Sequence, residues 1–564
     1  MWRKALGLVL AAGLMAGGSL PNGMAASAGE QISMVPLRTA AEALGAKVLW
    51  DGTDKRVQVS LGKTRWKITP GSKQSLLDQA PYELARTAVT DGGGTLLVPL
   101  QSFTGALGIR GTWADNRWSL DPDDWKGRAV YWMTLLRHGK WEEAGQMMDA
   151  SLSAAYPPSS LPKYEERLER LYGLDWSLLH AEAYTDSVRS NARVVYQTPK
   201  GETFGMELRF SPEGLVDDVA WIENVTSSYR TPAYDHPENY TEEEVQVGQN
   251  PLLLPGTLTL PRNVQEKVPA LVLVHGSGPN DRDESSGGGK LFRDLAVGLA
   301  SEGIAVLRYE KRTREYPLRS ATPFFTVQQE TVDDAVSAVN LLAADPRIDA
   351  QQIYVLGHSQ GGMLVPRMIA SDAGKHIAGA VVMSAPSGPL EDLMLMQYRG
   401  ILGRAEEEGA SAEKLARLQN QVDTWEKAVA LLKDPSYSTE HLPDHFPLPN
   451  AYWWFDFRNY SGPLLARNQN IPMYILQGDN DVQVPPTSLK VWRSALSQRK
   501  DVTFKSYPGL NHMYIYYSKN STGDEYKLPG NVPEEVITDV ANWIHLGTKD
   551  LSKNGEEADP FVIE

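Results

Sequence analysis

The pentapeptide Gly357-His358-Ser359-Gln360-Gly361 has the residue types and spacing of a nucleophile turn. It follows an apolar run at 353–356 and precedes a helical pattern, so it joins a strand to a helix. A sharp turn there lifts the Ser359 hydroxyl above the strand end, and only small residues fit two positions away on either side. A serine hydroxyl is a poor nucleophile at neutral pH and needs an oriented base. His512, in Tyr507-Pro508-Gly509-Leu510-Asn511-His512, leaves the last predicted strand and is the candidate base. The carboxylate that orients it is expected in Gly478-Asp479-Asn480-Asp481, just past the preceding strand. Asp481 is favoured for that role, and its competitor Asp479 suits hydrogen bonding to loop amides. The segment His275-Gly276-Ser277-Gly278-Pro279 follows an early apolar strand, so the amides of Ser277 and Gln360 are assigned to an oxyanion hole. Together these residues imply acyl transfer. Ser359 attacks a carbonyl, His512 takes its proton, Asp481 orients the imidazole, and water releases the acid. Such a reaction needs no metal and no organic cofactor.

Other polar residues receive structural readings. His275 is expected to organise its loop, and His358 to pack beneath the turn, because the neighbours of the nucleophile point away from it. His441 and His445, with Asp444 between them, read as solvated side chains and not as a metal site. Arg308, Glu310, Lys311 and Arg312 read as an ion-pair cluster.

These residues require strands ending on one side of a sheet. From Val245 onward, apolar strands alternate with helical stretches, the mark of a mainly parallel sheet covered on both faces. Strands are predicted at 270–274, 305–308, 353–356, 379–383, 472–477 and 503–507, with helices at 331–344 and 362–370 among the intervening stretches. A helical excursion from Pro389 to about Asn459 carries the run Tyr452-Trp453-Trp454-Phe455 and is expected to lie over the strand ends as a lid. The chemistry is assigned wholly to this part of the chain.

Ahead of it lies a duplication. Val35-Pro36-Leu37 recurs as Val98-Pro99-Leu100, Ala43-Leu44-Gly45 as Ala106-Leu107-Gly108, and Trp50 as Trp113, at one constant offset. Each copy reads as a short helix, a Gly stop and a strand carrying Trp. A helical pattern over about 125–154 and strand-like runs at 192–197, 204–210 and 216–222 follow, with a Tyr-, Pro- and acid-rich linker at 229–244. Arg3 and Lys4, an apolar stretch at 5–16 and Ala26-Ser27-Ala28 read as a leader cleaved before Gly29. The formal net charge of −15 disfavours nucleic-acid and anionic-membrane partners. The absence of Cys excludes disulfides, thiolate metal sites and a Cys nucleophile.

Three stretches, 275–283 with its Asp281-Arg282-Asp283, 357–362 and 507–512, resemble the secreted bacterial α/β-hydrolases of the dienelactone hydrolase and esterase group. The likeness spans roughly 245–545 and implies an α/β-hydrolase fold. Ser359 stands where dienelactone hydrolases carry Cys, which favours carboxylic esters over lactones. Residues 29–121 resemble the copper amine oxidase N-terminal-like domain, read here as a stalk; no copper site is available, since the first His is His138. Residues 122–228 resemble NTF2-like domains. The resulting division is a signal peptide at 1–28, the repeat domain at 29–121, an α+β domain at 122–228, the linker at 229–244, the hydrolase domain at 245–548 with its lid at 389–459, and a tail at 549–564.

The expected protein is a secreted or cell-surface serine hydrolase with a small-molecule ester as substrate. It would associate with the cell wall or surface through its N-terminal domain, and not with membrane after leader cleavage. A serine peptidase on the same fold is the nearest alternative, though no blade-like repeats precede the hydrolase region. A surface-binding protein with an inert hydrolase domain is the alternative from another class, and it would require one of the three catalytic residues to be missing.

Overall fold

The computed structural model describes residues 32–222, 227–262 and 264–546; the predicted leader and the tail lie outside them. Eight strands form the sheet that carries the site: β1 (Tyr240–Val247), β2 (Leu254–Pro261), β3 (Val268–Val274), β4 (Ala305–Tyr309), β5 (Ile348–His358), β6 (Ile377–Met383), β7 (Met473–Gly478) and β8 (Val502–Tyr507). Their order is β1-β2-β4-β3-β5-β6-β7-β8. The first two run antiparallel to their neighbours, and every pairing from β4 to β8 is parallel. All six predicted strands are present, each within a few residues of its expected bounds.

Burial on both faces explains the unbroken apolar runs. Val272, Val274, Leu307, Val355, Val382 and Ile475 enter one core, and Leu271, Leu273, Val306, Leu356, Val381 and Leu476 enter the other. Side chains alternate between faces at a period of two, so consecutive apolar residues supply both cores. Helices α1 (Leu291–Ser301), α2 (Asp333–Ala344) and α3 (Gln360–Ser371) connect the central strands.

Between β6 and β7 the chain leaves the sheet as a helical hairpin, α4 (Leu390–Glu407) and α5 (Ala412–Lys433), followed by α6 (Ala451–Phe457). Lys433 holds the hairpin base through Glu391 at 2.8 Å and Asp392 at 3.0 Å. Gln397 on α4 donates to the Gln483 carbonyl at 2.8 Å, which brings the insertion against the loop that follows β7. The sheet closes with α7 (Thr487–Ala495) and α8 (Glu534–Leu546).

The repeat is visible as structure. Met34–Pro36 pairs antiparallel with Leu96–Pro99, so the two copies meet directly, with Val35 opposite Val98. Each copy continues into a helix, Leu37–Glu42 or Leu100–Leu107, and then into a strand bearing Trp50 or Trp113. Trp118 donates to the Ala40 carbonyl at 2.9 Å and ties the second copy to the first.

Two expectations need correction. The helical pattern over 125–154 is not one helix but three, Trp125–Arg137, Trp141–Gln146 and Ala150–Ala155, and the sheet behind them has a fourth strand, Ser177–Thr185. Across residue 121 the two units pack together, and one apolar cluster runs from Val35 to Val219. The linker assigned to 229–244 is not a free connection. Tyr240 to Glu244 belong to β1, Tyr229 donates to Asp294 at 2.6 Å, and Tyr234 donates to the Val532 carbonyl at 2.7 Å.

Candidate active site

Strand β5 ends at His358, and Ser359 turns the chain into α3 at φ 53° and ψ −119°. A non-glycine residue at positive φ is strained, and such strain is characteristic of functional turns. The turn is held from both sides: Ser359 N–H donates to the Met383 carbonyl at 2.9 Å, and Met363 N–H donates to the Ser359 carbonyl at 2.9 Å. Close approach dictates the flanking glycines. A Cβ on Gly361 would sit 2.5 Å from the His275 carbonyl oxygen, and one on Gly357 would strike the Gly361 backbone. Ser359 is half-buried, while its neighbours His358 and Gln360 are buried.

Strands β7 and β8 deliver the two partners. His512 Nδ1 lies 2.7 Å from Asp481 Oδ2, and both residues are buried. Asp481 Oδ1 accepts from the Gln483 and Val484 amides at 2.9 and 2.8 Å, and Gln477 Nε2 donates to Oδ2 at 3.1 Å. Burial alone would raise this carboxyl, but His512 and the surrounding hydrogen bonds outweigh it and hold it below the usual carboxylate range. Asp479 faces elsewhere: its Oδ1 accepts from the Gly509 amide at 2.6 Å and ties the two loops together. Asp481, and not Asp479, meets His512. No hydrogen bond joins Ser359 to His512 among the described residues; such contacts commonly tighten only around substrate.

The loop after β3 approaches from the other side. A Cβ on Gly276 would lie 3.0 Å from the Ser359 Cβ and 3.2 Å from Glu284 Oε1, so a larger residue there would press on both side chains. Both polar groups of Gly276 are occupied: its N–H donates to Glu284 Oε1 at 2.6 Å, and its carbonyl accepts from Lys311 Nζ at 2.7 Å. The next residue, Ser277, is exposed. Neither its N–H nor that of Gln360 donates to another protein group among the described residues.

His275 organises the loop as expected. Its Nε2 lies 3.0 Å from the Asp281 carbonyl oxygen, its ring packs between Phe292 and Tyr309, and burial lowers it to about 4. The cluster after β4 is ion-paired: Arg308 with Asp283 and Glu242, Glu310 with Arg282 and Arg314, Lys311 with Glu330, and Arg312 with Asp334. Glu330 also accepts from Trp453 Nε1 on α6 at 2.7 Å. Beside that contact lies a cavity of about 280 Å³, lined by Phe325, Trp453 and Trp454 among others.

His358 does more than pack. Its Nδ1 lies 3.0 Å from Glu284 Oε2, its Nε2 lies 2.9 Å from the His512 carbonyl oxygen, and the two imidazole rings are 4.6 Å apart. Glu284 was absent from the sequence-based site. The acidic run Asp281-Arg282-Asp283-Glu284 was the available signal, but which carboxylate turns inward is decided by the loop's path.

Residues 24–120 match the copper amine oxidase N-terminal domain, and residues 271–520 match the alpha/beta hydrolase family. Esterase EstD of Thermotoga maritima is 35% identical to this chain over 338 residues, covering 59% of this chain and 74% of that protein. Among solved structures, an esterase of Pyrobaculum calidifontis is similar at 17% identity with a TM-score of 0.33, over 54% of this chain and 85% of that one. Proline iminopeptidase of Mycobacterium smegmatis is similar at 16% identity with a TM-score of 0.36, over 54% and 99%. The sheet order, the match over residues 271–520 and the relative from Thermotoga maritima agree: the chain belongs to the alpha/beta hydrolase family.

Proposed function

We propose that this chain hydrolyses carboxylic esters through an acyl-enzyme formed on Ser359. The observation that carries the reading is the 2.7 Å contact between His512 and Asp481, at the same end of the sheet as the strained Ser359. His512 takes the Ser359 proton as the hydroxyl attacks the ester carbonyl, and Asp481 stabilises the imidazolium that forms. The Ser277 and Gln360 amides hold the oxyanion, helped by the N-terminus of α3. His512 then protonates the leaving alcohol, and water repeats the sequence to free the acid. The likeness to an esterase at 35% identity supports esters over amides. The leader read in residues 1–28 supports export, with the repeat domain at the cell surface; a mature N-terminus at Gly29 in the culture medium would test it.

The central test uses a fluorophosphonate probe and aryl esters of increasing chain length beside aminoacyl anilides. The probe is expected to label Ser359 alone and to abolish turnover. Ser359→Ala is expected to lose labelling and about 10⁴-fold or more in kcat. Labelling that survives in Ser359→Ala would overturn the nucleophile. Faster cleavage of the anilides than of the esters would overturn the substrate class.

A further inference from the structure

We propose that Glu284 and His358 act as positioning residues, a second buried carboxylate–imidazole pair that locks the oxyanion loop, the nucleophile turn and the base loop to one another. The proposal rests on the acyl-transfer reading above. Three segments that share no secondary structure meet at this pair. Glu284 Oε1 takes the Gly276 amide at 2.6 Å, and its Oε2 faces His358 Nδ1 at 3.0 Å. His358 Nε2 then reaches the backbone carbonyl of His512 at 2.9 Å. Lys311, itself paired with Glu330 at 2.9 Å, holds the other side of the Gly276 peptide. Gly276 can therefore neither rotate nor offer its amide to substrate, which leaves the Ser277 amide as the one presented.

Two features separate this arrangement from ordinary core packing. Glu284 is held at φ 48°, a left-handed conformation that disfavours any residue with a Cβ. The fold keeps that strain, and the result is a carboxylate aimed at Gly276 and His358. The hydrogen-bond partners also fix the charge. A carboxylate and a carbonyl oxygen are both acceptors, so both ring nitrogens of His358 must donate and the ring is an imidazolium. The electrostatics agree: Glu284 is held below the usual carboxylate range by His358 against the effect of burial, and His358 is raised by Glu284. Neither residue touches the reacting atoms; each acts through Gly276 and His512.

The test compares Glu284→Ala, Glu284→Gln and His358→Phe in the full chain, with rates normalised to the Ser359 sites titrated by a fluorophosphonate. Glu284→Ala frees the Gly276 amide and is expected to lower kcat per titrated site by about 10²–10³-fold, the size of a lost oxyanion contact, with KM changed by less than about threefold. Gln keeps the geometry. Its Oε1 can accept from Gly276 and its NH₂ can donate to a neutral His358, so Glu284→Gln is expected to stay within about tenfold of the native rate. His358→Phe keeps the ring volume, loses both bonds and should fall with the alanine variant. A Glu284→Ala kcat per site within threefold of native would reduce the pair to a structural role and overturn the proposal. Failure of the native chain to label at Ser359 would instead overturn the acyl-enzyme reading. Should the disruptive variants not fold, ¹⁵N-histidine NMR of the native chain decides: both nitrogens of His358 are expected to be protonated at neutral pH, and one bare nitrogen would sink the assignment.

Discussion

Asp481 receives four donors on two oxygens, and only one of them, His512 Nδ1, belongs to the proposed reaction. The other three fix the carboxylate so that its charge and direction survive proton transfer at the imidazole. Asp481→Asn is therefore expected to fold and to lose on the order of 10⁴-fold in kcat, because an amide neither selects the required tautomer nor stabilises the imidazolium. Asp479→Asn weakens the contact to the Gly509 amide and should lower thermal stability with a modest loss of rate. Measuring kcat for both at equal folded fraction checks the assignment, and a crippled Asp479→Asn beside an active Asp481→Asn would reverse it. Ser359, Asp481 and His512 were legible because each follows an apolar strand in an order that the fold constrains. Glu284 was not, since its partner His358 lies 74 residues away and only the positive-φ turn brings them together.

Strand β3 and helix α3 approach so closely at Gly361 that there is no room for a methyl group between them. Gly361→Ala must push the helix from the strand or unwind the turn. It should lower stability by about 1–3 kcal/mol, as overpacking does, and remove most fluorophosphonate labelling with it. Thermal melting and labelling of the variant test this, and a protein with native Tm and full labelling would contradict it. The parallel strands were readable because burial on both faces leaves continuous apolar runs. Edge strand β1 was mistaken for linker because its Glu242, Glu243 and Glu244 look like a solvated charge run. In the fold they pair across the sheet edge: Glu242 with Arg293 and Arg308, Glu244 with Arg282, Glu243 with Arg347. Such cations are distant in sequence, and no periodicity announces them.

The segment that follows β4 docks on the antiparallel sheet of the preceding domain through buried charges. Asp218 accepts from the Leu318 and Arg319 amides at 3.1 and 3.0 Å, and Arg209 faces Glu315 at 3.1 Å. Burial pushes Glu315 up to about 7 and Asp218 up to about 6, against the pull of Arg209. Groups whose folded values are raised contribute stability that is full below their unfolded values and is lost as pH rises through the folded ones. Glu207 has the opposite sense: Arg209, Tyr184 and Arg193 outweigh burial and bring it to about 2, so its contribution is full above 4.5 and is lost as pH falls from there to about 2. The contribution of Glu315 and Asp218 is thus expected to weaken as pH rises from about 4 to about 7, lowering Tm by a few degrees, at about 2–4 °C per kcal/mol. Glu315→Gln should flatten that decline in a calorimetric series. An equal slope in the variant would show that Glu315 does not set it.

The pairing of the two N-terminal repeats has a consequence in symmetry. Met34 faces Pro99 and Pro36 faces Leu97, while Val35 faces Val98, its own counterpart in the other copy. The contact is isologous: each copy offers the same edge, and a pseudo-twofold axis passes through the Val35–Val98 pair. Open-ended repeat arrays stack head to tail, so a further unit always finds a free face. A twofold contact is complete at two. The duplication therefore built a closed pair, whose halves are complements of one another and not the first two members of a series.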